Sequence, residues 1–312
     1  MNAPERGLGL DPAQELLKIL DSELDTAATA ERRSQKIYRS VQQLSQLIGG
    51  EYGDRVVYEL LQNAHDAQVY GPGRVAIHLV VRAPDRADLF VANEGVGFSR
   101  KNLDAIRNIA NSTKDIGEGI GNKGVGFRSV EALTDDPHVY SCRGKAGPRE
   151  RFDGYCFRLA TQDEVEARLA LLGQPDIAAA VASAMPRYLA TMPVEDQPEE
   201  VLAFAQDGFA TVVVLPLRSP ETVELAIRQI GDLLASEVPV LLFLDRIASL
   251  DVRVKGVEHL KPRMLLTRQV VDLPAGDVER APARFVVVTL GPERFRREVA
   301  VAARLQHPHI LT

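Results

Sequence analysis

The sequence predicts an α/β fold, and three observations carry this prediction. Runs rich in β-branched residues that alternate in polarity, such as residues 74–81 and 88–93, are typical of strands. Segments with apolar residues at helical spacing, such as residues 54–67, accompany these runs along the chain. The run 209–217 is apolar almost throughout, as a strand in the middle of a sheet requires. We therefore expect a sheet with this run near its centre and helices between its strands.

The composition is that of an ordinary soluble globular protein. Of the 312 residues, 45% are hydrophobic and 26% are charged, and the net charge is −6. This charge argues against a surface that coats nucleic acid. No apolar run approaches the ~18–20 residues of a membrane span, and the N-terminus lacks a signal-peptide pattern. The length suffices for two domains, or for one domain with a large appendage.

The two cysteines, Cys142 and Cys156, lie on adjacent predicted strands. They could pair, but two thiols in an otherwise cysteine-poor chain are more typical of a reducing cytosol, so we expect a cytoplasmic protein. With so few cysteine and histidine residues, the sequence shows no zinc-type cluster.

Periodicity, caps and breakers predict the remaining elements along the chain. Residues 192–200 are acidic and contain proline, which indicates a surface connector. Further predicted helices cover residues 12–24, 31–48, 161–189 (an alanine-rich insert broken near residue 173) and 222–236. Further predicted strands cover residues 139–142, 155–159, 240–244, 249–254, 265–271 and 285–290, with the last pair in a second small β layer.

The helix predicted over residues 54–67 carries polar side chains at a spacing that normally marks a buried stripe. Glu59, Asn63 and Asp66 stand at i, i+4 and i+7, within an arc of roughly 60°. Because the neighbouring positions are apolar, we expect the polar stripe to meet water, a metal or a ligand. A solvated helix face is the alternative interpretation. His65 lies off this stripe and is interpreted as structural.

A glycine-containing turn follows the strand over residues 88–93. Asn93, at the mouth of this turn, precedes Gly95 and Gly97. Ser99 then has the position of an N-cap for a helix predicted over residues 100–110.

A second glycine turn covers residues 118–126, with four glycines in eight positions, and leads into a helix predicted from Phe127 onward. Glycine lets the backbone approach a ligand closely, and a helix N-terminus presents free N–H groups that suit phosphate. The polar segment 111–117, which precedes this turn, is interpreted as a mobile lid.

These three stretches, in this order, resemble the N, G1 and G2 boxes of the GHKL ATPases, named for gyrase, the heat-shock chaperone of ninety kilodaltons, histidine kinases and MutL. The matching residues are Glu59-x-x-x-Asn63-x-x-Asp66-Ala67, Asn93-x-Gly95-x-Gly97 and Gly119-x-Gly121-x-x-Gly124-x-Gly126. The likeness spans about residues 44–217. It is greatest to the sacsin-type subgroup, whose additional residues correspond to Asn93-Glu94 and Ser112-Thr113-Lys114.

The resemblance implies a Bergerat-type α/β sandwich, in which a mixed, mostly antiparallel sheet has helices on one face. N-terminal helices and a small C-terminal β-rich extension would be added to it. The expected division of the chain is N-terminal helices over residues 1–48, an ATP-binding domain over 49–218 with a helical insert at 161–190, and the extension, or the start of a second domain, over 219–312.

The resemblance also implies a site for ATP and Mg²⁺. Asn63 would hold the metal through its amide oxygen, and Glu59 would orient and deprotonate the attacking water. Asp66 and Thr211 would support the adenine end. The other residues implied to bind the nucleotide are Ala67, Asn93, Gly95, Gly97, Lys114, Gly121, Lys123, Gly124, Val125, Gly126 and Phe127.

One position departs from the pattern, because most of the superfamily has an aspartate where this chain has Asn93. An amide oxygen accepts a hydrogen bond from the adenine amino group more weakly than a carboxylate does, and the amide NH₂ is an extra donor that needs a partner. We therefore expect modest nucleotide affinity, or a contribution from Glu94.

Two functions are consistent with these residues. The first is an ATP-hydrolysing conformational switch, whose lid closure rearranges a homodimer, a downstream domain or a partner protein. The alternative is a nucleotide-binding or scaffold module, without hydrolysis, in a larger assembly, of which a defence-related assembly is one candidate. A histidine kinase is disfavoured, because no helical hairpin with a phospho-acceptor histidine precedes the first box.

Overall fold

The computed structural model describes residues 11–42, 53–107, 126–236, 238–273, 283–290 and 303–304. The helices are α1 (Pro12–Arg32), α2 (37–42), α3 (Val56–Asp66), α4 (Arg100–Arg107), α5 (Gln162–Leu171), α6 (Ala178–Ala184), α7 (Glu199–Gln206) and α8 (Pro220–Ala235). Short 3-10 turns cover Gly53–Arg55, Gly126–Ala132, Arg187–Leu189 and Val240–Leu242.

Ten strands form one sheet. They are β1 (Gly73–Ala83), β2 (Arg86–Asn93), β3 (His138–Ser141), β4 (Phe157–Leu159), β5 (Thr191–Pro193), β6 (Thr211–Leu217), β7 (Ile247–Lys255), β8 (Arg263–Leu273), β9 (Ala283–Leu290) and β10 (Ala303–Arg304). Their spatial order is β10-β9-β8-β7-β1-β2-β6-β3-β4-β5. The β1–β7 pair is parallel and all other described pairs are antiparallel, so the predicted mixed, mostly antiparallel α/β sandwich is confirmed.

The sheet separates two cores of unequal size. The larger core lies on the first face, where buried side chains of α1, α3, α4, α5, α6 and α8 meet alternate residues of the strands. The smaller core lies on the second face, where α7 packs with Phe204 against Phe90 and Phe209. Strand β6 is buried at every position because it contributes to both cores, as its apolar sequence predicted.

Local signals explain where several helices begin. Pro12 occupies the first turn of α1, where its missing N–H costs no hydrogen bond. Ser99 caps α4, because its Oγ accepts from the backbone N–H of Asn102 at 3.3 Å. Ser219 and Thr222 form a reciprocal capping box at the start of α8.

The predicted start of the first helix at Pro12 is confirmed, but its predicted end and the predicted start of the second helix were wrong. Helix α1 continues to Arg32 because Ala27 and Ala28 extend the buried stripe of Leu16, Leu20 and Leu24. The chain then leaves the helix at Ser34, which has a φ of 56°. Residues 37–42 are helical, and the later part of the predicted helix 31–48 lies outside the described residues.

Three further predictions need correction. Residues 240–244 contain a 3-10 turn and no strand, because a short apolar run does not by itself distinguish strand from buried turn. Residues 192–200 contain part of β5 and the start of α7, so they are not merely a surface connector. Strands β7, β8 and β9 extend the main sheet beyond β1 and do not form a second layer.

The helical insert and the unpaired cysteines agree with the sequence. Helices α5 and α6 are separated by Gly173, which has a φ of +77°. Cys142 and Cys156 are both buried free thiols. Burial raises the pKa of Cys142 and raises that of Cys156 to about 11, so both thiols are neutral at physiological pH.

Candidate functional site

Helix α3 presents its polar stripe away from the core. Its buried side consists of five apolar residues and one histidine: Val56, Val57, Leu60, Leu61, Ala64 and His65. Glu59 and Asp66 are half-buried and Asn63 is exposed, so all three lie on the accessible side of the helix. The predicted spacing is therefore confirmed, and the stripe is open to a ligand or to water.

A glutamine of α8 fixes the start of α3. The Gln229 side chain is buried, its Oε1 accepts from the backbone N–H of Val57 at 3.0 Å, and its Nε2 donates to the carbonyl of Gly53 at 2.8 Å. These bonds satisfy groups that a helix N-terminus leaves without partners. The sequence analysis missed this residue, which determines where Glu59 and Asn63 stand.

The turn after β2 packs directly on the end of α3. Gly95 has a φ of +108°, and a Cβ at this position would lie 2.4 Å from the carbonyl oxygen of Ala67. The backbone N–H of Val96 donates to the same oxygen at 3.2 Å. Only glycine fits here, both for its left-handed backbone and for this close approach.

The second glycine of this turn packs on β3. A Cβ at Gly97 would lie 1.9 Å from the carbonyl oxygen of Cys142, a separation that no side chain permits. The Gly97 N–H donates to the carbonyl of Gly144 at 2.8 Å. The two glycines thus hold the turn between the end of α3 and the end of β3, and this brings the first two predicted boxes together.

A row of polar side chains lies at the same end of the sheet. Asn93 is the register partner of Thr211, and Thr211 is the partner of Ser141, so the three cross strands β2, β6 and β3. All three are buried. By strand alternation they lie on the first face, since Val91, Val213 and Val139 two residues away belong to the larger core.

Ser141 connects this row to the glycine turn. Its Oγ accepts from the backbone N–H of Phe98 at 2.5 Å and lies 3.4 Å from the Thr211 Oγ1. The sequence analysis did not identify Ser141, because its role depends on the register of β3 against β6.

The Asn93 amide has a defined orientation. Its Nδ2 donates to the backbone carbonyl of Glu94 at 2.6 Å. The opposite amide orientation would place two oxygens at this distance, so the contact assigns the NH₂ group. The extra donor therefore has a partner, and Oδ1 stays available as an acceptor for a ligand.

The Glu94 carboxylate is hydrogen-bonded to Arg74 and not to Asn93. It accepts from the backbone N–H and from Nε of Arg74, each at 2.7 Å. The Arg74 guanidinium lies over the Phe209 ring of the smaller core, 5.0 Å from its centroid. Glu94 is thus held toward the second face of the sheet, and the expectation that it assists Asn93 has no support in this geometry.

The residues after the second glycine loop form a 3-10 turn, Gly126–Ala132, in place of the predicted α-helix. This turn lies against α3, and Phe127 is half-buried against the larger core. Five residues expected to bind the nucleotide lie outside the described residues, namely Lys114, Gly121, Lys123, Gly124 and Val125. The segment 111–117, which is interpreted as a lid, also lies outside them.

The donor atoms of the α3 stripe suit Mg²⁺. The metal takes oxygen ligands and keeps several waters, so a single exposed amide oxygen from Asn63 beside the Glu59 carboxylate fits its preferences. Among the described residues, no group of three or more histidine, cysteine or carboxylate side chains could hold a metal ion.

Comparison with known proteins gives limited information. No protein-family model matches the sequence. A stretch of 112 residues, 36% of the chain, is 29% identical to Protein NO VEIN from Arabidopsis thaliana and covers 4% of that protein. The match therefore concerns a small part of a much longer relative. In the part of the chain that the structure describes, no helix has the length and apolarity to cross a membrane.

Proposed function

We propose that this protein binds ATP with Mg²⁺ and hydrolyses it slowly as a GHKL-type conformational switch. The observation that carries the proposal is the meeting of three features at one end of the sheet. These are the polar stripe of α3, the turn of Gly95 and Gly97, and the row Asn93–Thr211–Ser141. The first two of these features contain residues of the first two ATPase boxes that the chain resembles.

The adenine end of the nucleotide would lie over the polar row. Asn93 Oδ1 would accept from the adenine amino group, since its NH₂ group already donates to the Glu94 carbonyl. Thr211, the register partner of Asn93, and Asp66, at the end of α3, would supply the remaining polar contacts. Affinity below that of an aspartate-containing site is expected, because a neutral acceptor forms the weaker hydrogen bond.

The phosphate end would lie along α3. Asn63 would hold Mg²⁺, which when bound neutralises phosphate charge and orients the phosphate oxygens. Glu59, one helical turn earlier, would orient the attacking water and accept a proton from it. Backbone amides of the second glycine loop with Lys114 and Lys123 would complete the phosphate site, as the resemblance implies.

A binding module without hydrolysis is the second candidate. The observation that favours it is Asn93 in place of the usual aspartate, together with an exposed Asn63. A partner in either case would be a second copy, a downstream domain or another protein.

Calorimetric titration with ATP, ADP and a non-hydrolysable analogue, combined with phosphate-release assays, tests the proposal. We expect saturable, Mg²⁺-dependent ATP binding, and hydrolysis that is lost in Glu59→Ala while binding is retained. Glu224→Ala removes a similar carboxylate from the exposed side of α8 and should change neither property. Absence of saturable heat with the wild-type protein would contradict ATP binding, and unchanged hydrolysis in Glu59→Ala would contradict the role of Glu59.

A further inference from the structure

A buried histidine lies between two carboxylates beside the proposed site. The His65 side chain is 2% exposed, its Nδ1 lies 3.2 Å from Asp66 Oδ1, and its Nε2 lies 2.8 Å from Asp245 Oδ1. Asp66 belongs to the polar stripe of α3, whereas Asp245 lies 180 residues away in sequence.

Both carboxylates lie within hydrogen-bond distance of the ring, so His65 joins Asp66 to Asp245. A ring nitrogen that carries its proton donates to the carboxylate that it faces. The hydrogen bond with His65 lowers the pKa of Asp245, and the charges of the nearby Arg268 and Arg246 act in the same direction.

The two carboxylates belong to different parts of the fold. Asp66 ends α3, next to Ala67, whose carbonyl holds the glycine turn through Val96. Asp245 lies in the turn that begins β7, the strand through which β8 and β9 join the sheet.

The turn of Asp245 is itself fixed by backbone contacts. The neighbouring Arg246 carbonyl accepts from the backbone N–H of Gly73 at 3.1 Å, and Nη1 of Arg268 in β8 donates to the Asp245 carbonyl at 3.3 Å. A conformational change of this turn therefore affects the start of β1 and β8. The side chain of His65 connects the turn to Asp66.

We propose that His65 is a positioning residue, which orients Asp66 for the nucleotide and couples nucleotide binding to the turn that begins the C-terminal strands. This inference rests on the proposed function. By holding Oδ1 of Asp66, His65 leaves Oδ2 for a ligand. Because coupling between two sites is reciprocal, loss of the contact at Asp245 weakens nucleotide binding, and bound nucleotide changes the surroundings of the turn.

Two measurements test the inference on the full chain. The first is calorimetric ATP affinity in the wild type, in Asp245→Asn, and in Asp85→Asn as a matched control on the exposed β1–β2 turn. We expect roughly five- to tenfold weaker binding in Asp245→Asn, the lower part of the usual range for coupled sites, and no change in the control.

The second measurement is NMR of the backbone amides. In the wild type we expect ATP-dependent shifts at the amides of Arg246 and Ile247. In His65→Phe, which keeps a buried ring, and in Asp245→Asn, these amide shifts should disappear.

The outcomes separate the two proposals. If Asp245→Asn binds ATP with the affinity of the wild type and shows the same amide shifts, the inference is overturned and the proposed function is left intact. Absence of ATP binding to the wild-type protein would overturn both. If His65→Phe does not fold, the Asp245→Asn results decide alone, since that side chain is largely exposed.

Discussion

The two faces of the sheet differ sharply at the end of strand β2. On the first face, the buried apolar rows end in Asn93, Thr211 and Ser141, whose polar atoms retain hydrogen-bonding capacity. On the second face, the next residue, Glu94, is bound at both carboxylate oxygens by Arg74, which also covers the Phe209 ring.

This difference is the basis for placing the proposed ligand on the first face. On the second face, Arg74 and Glu94 are hydrogen-bonded to each other. On the first face, no residue that the structure describes donates to Oδ1 of the buried Asn93, and a buried acceptor needs a partner. The predictions below test this contrast, beginning with the largest expected effect.

The closest packing on the first face is at Gly97. We expect Gly97→Ala to destabilise the protein by about 3 kcal/mol or more, because the new Cβ would meet the Cys142 carbonyl oxygen and the backbone must shift. Urea unfolding measures the effect. Gly231→Ala is the control, since it lies within α8 with ordinary contact distances and should stabilise by about 0.5–1 kcal/mol. Equal stability of the two variants would contradict the close packing of this turn against Cys142.

The first-face helix α3 depends on Gln229. We expect Gln229→Leu to lower the free energy of unfolding by about 2 kcal/mol, because the Val57 N–H and the Gly53 carbonyl lose their partner. Gln206→Leu makes the same exchange at an exposed site on α7 of the second face, where a change within about 0.5 kcal/mol is expected. Similar losses in both would show that Gln229 has no special role.

The neighbouring residues Asn93 and Glu94 provide the direct test of the two faces. Asn93→Ala should weaken ATP binding about tenfold, which corresponds to ~1.4 kcal/mol for one lost hydrogen bond. Glu94→Gln should leave the affinity within about twofold, because this carboxylate serves Arg74. Calorimetric titration of both variants measures the difference. A larger loss of ATP affinity in Glu94→Gln than in Asn93→Ala would contradict a nucleotide site on the first face.

The smallest expected effect concerns an ion pair of the second face. Arg158 alternates along β4 with the first-face residues Phe157 and Leu159, and its guanidinium binds Glu164. This bond lowers the pKa of Glu164 from 4.5 to about 2. The carboxylate therefore contributes stability above pH 4.5, and this contribution is lost as the pH falls toward 2.

Glu164→Gln isolates this contribution, because glutamine preserves the capping box with Thr161 while removing the charge. We expect the free energy of unfolding of the wild type to exceed that of the variant by about 0.2–1 kcal/mol at pH 6. This range is appropriate for an ion pair that solvent partly screens. The difference should decline between pH 4.5 and 2 in urea unfolding at successive pH values. A difference that stays constant over this range would contradict the assignment.

Local sequence patterns predicted the elements that depend on near neighbours. The stripe of Glu59, Asn63 and Asp66 repeats with the period of its helix. The cap of α4 at Ser99 is a signal within one turn of chain, and β6 is an uninterrupted apolar run. The error at residues 240–244 has the same origin, because a five-residue apolar run carries too few repeats to distinguish a strand from a 3-10 turn.

The sequence by itself determined the α/β class, the central place of β6 and the glycines of the turn after β2. Only the tertiary structure decided which distant residues meet. Ser141 lies 70 residues from Thr211, Gln229 lies 172 from Val57, and Asp245 lies 180 from His65. The physical reason is that periodicity encodes the face of an element, whereas contacts across the sheet depend on strand order and register, which no local pattern contains.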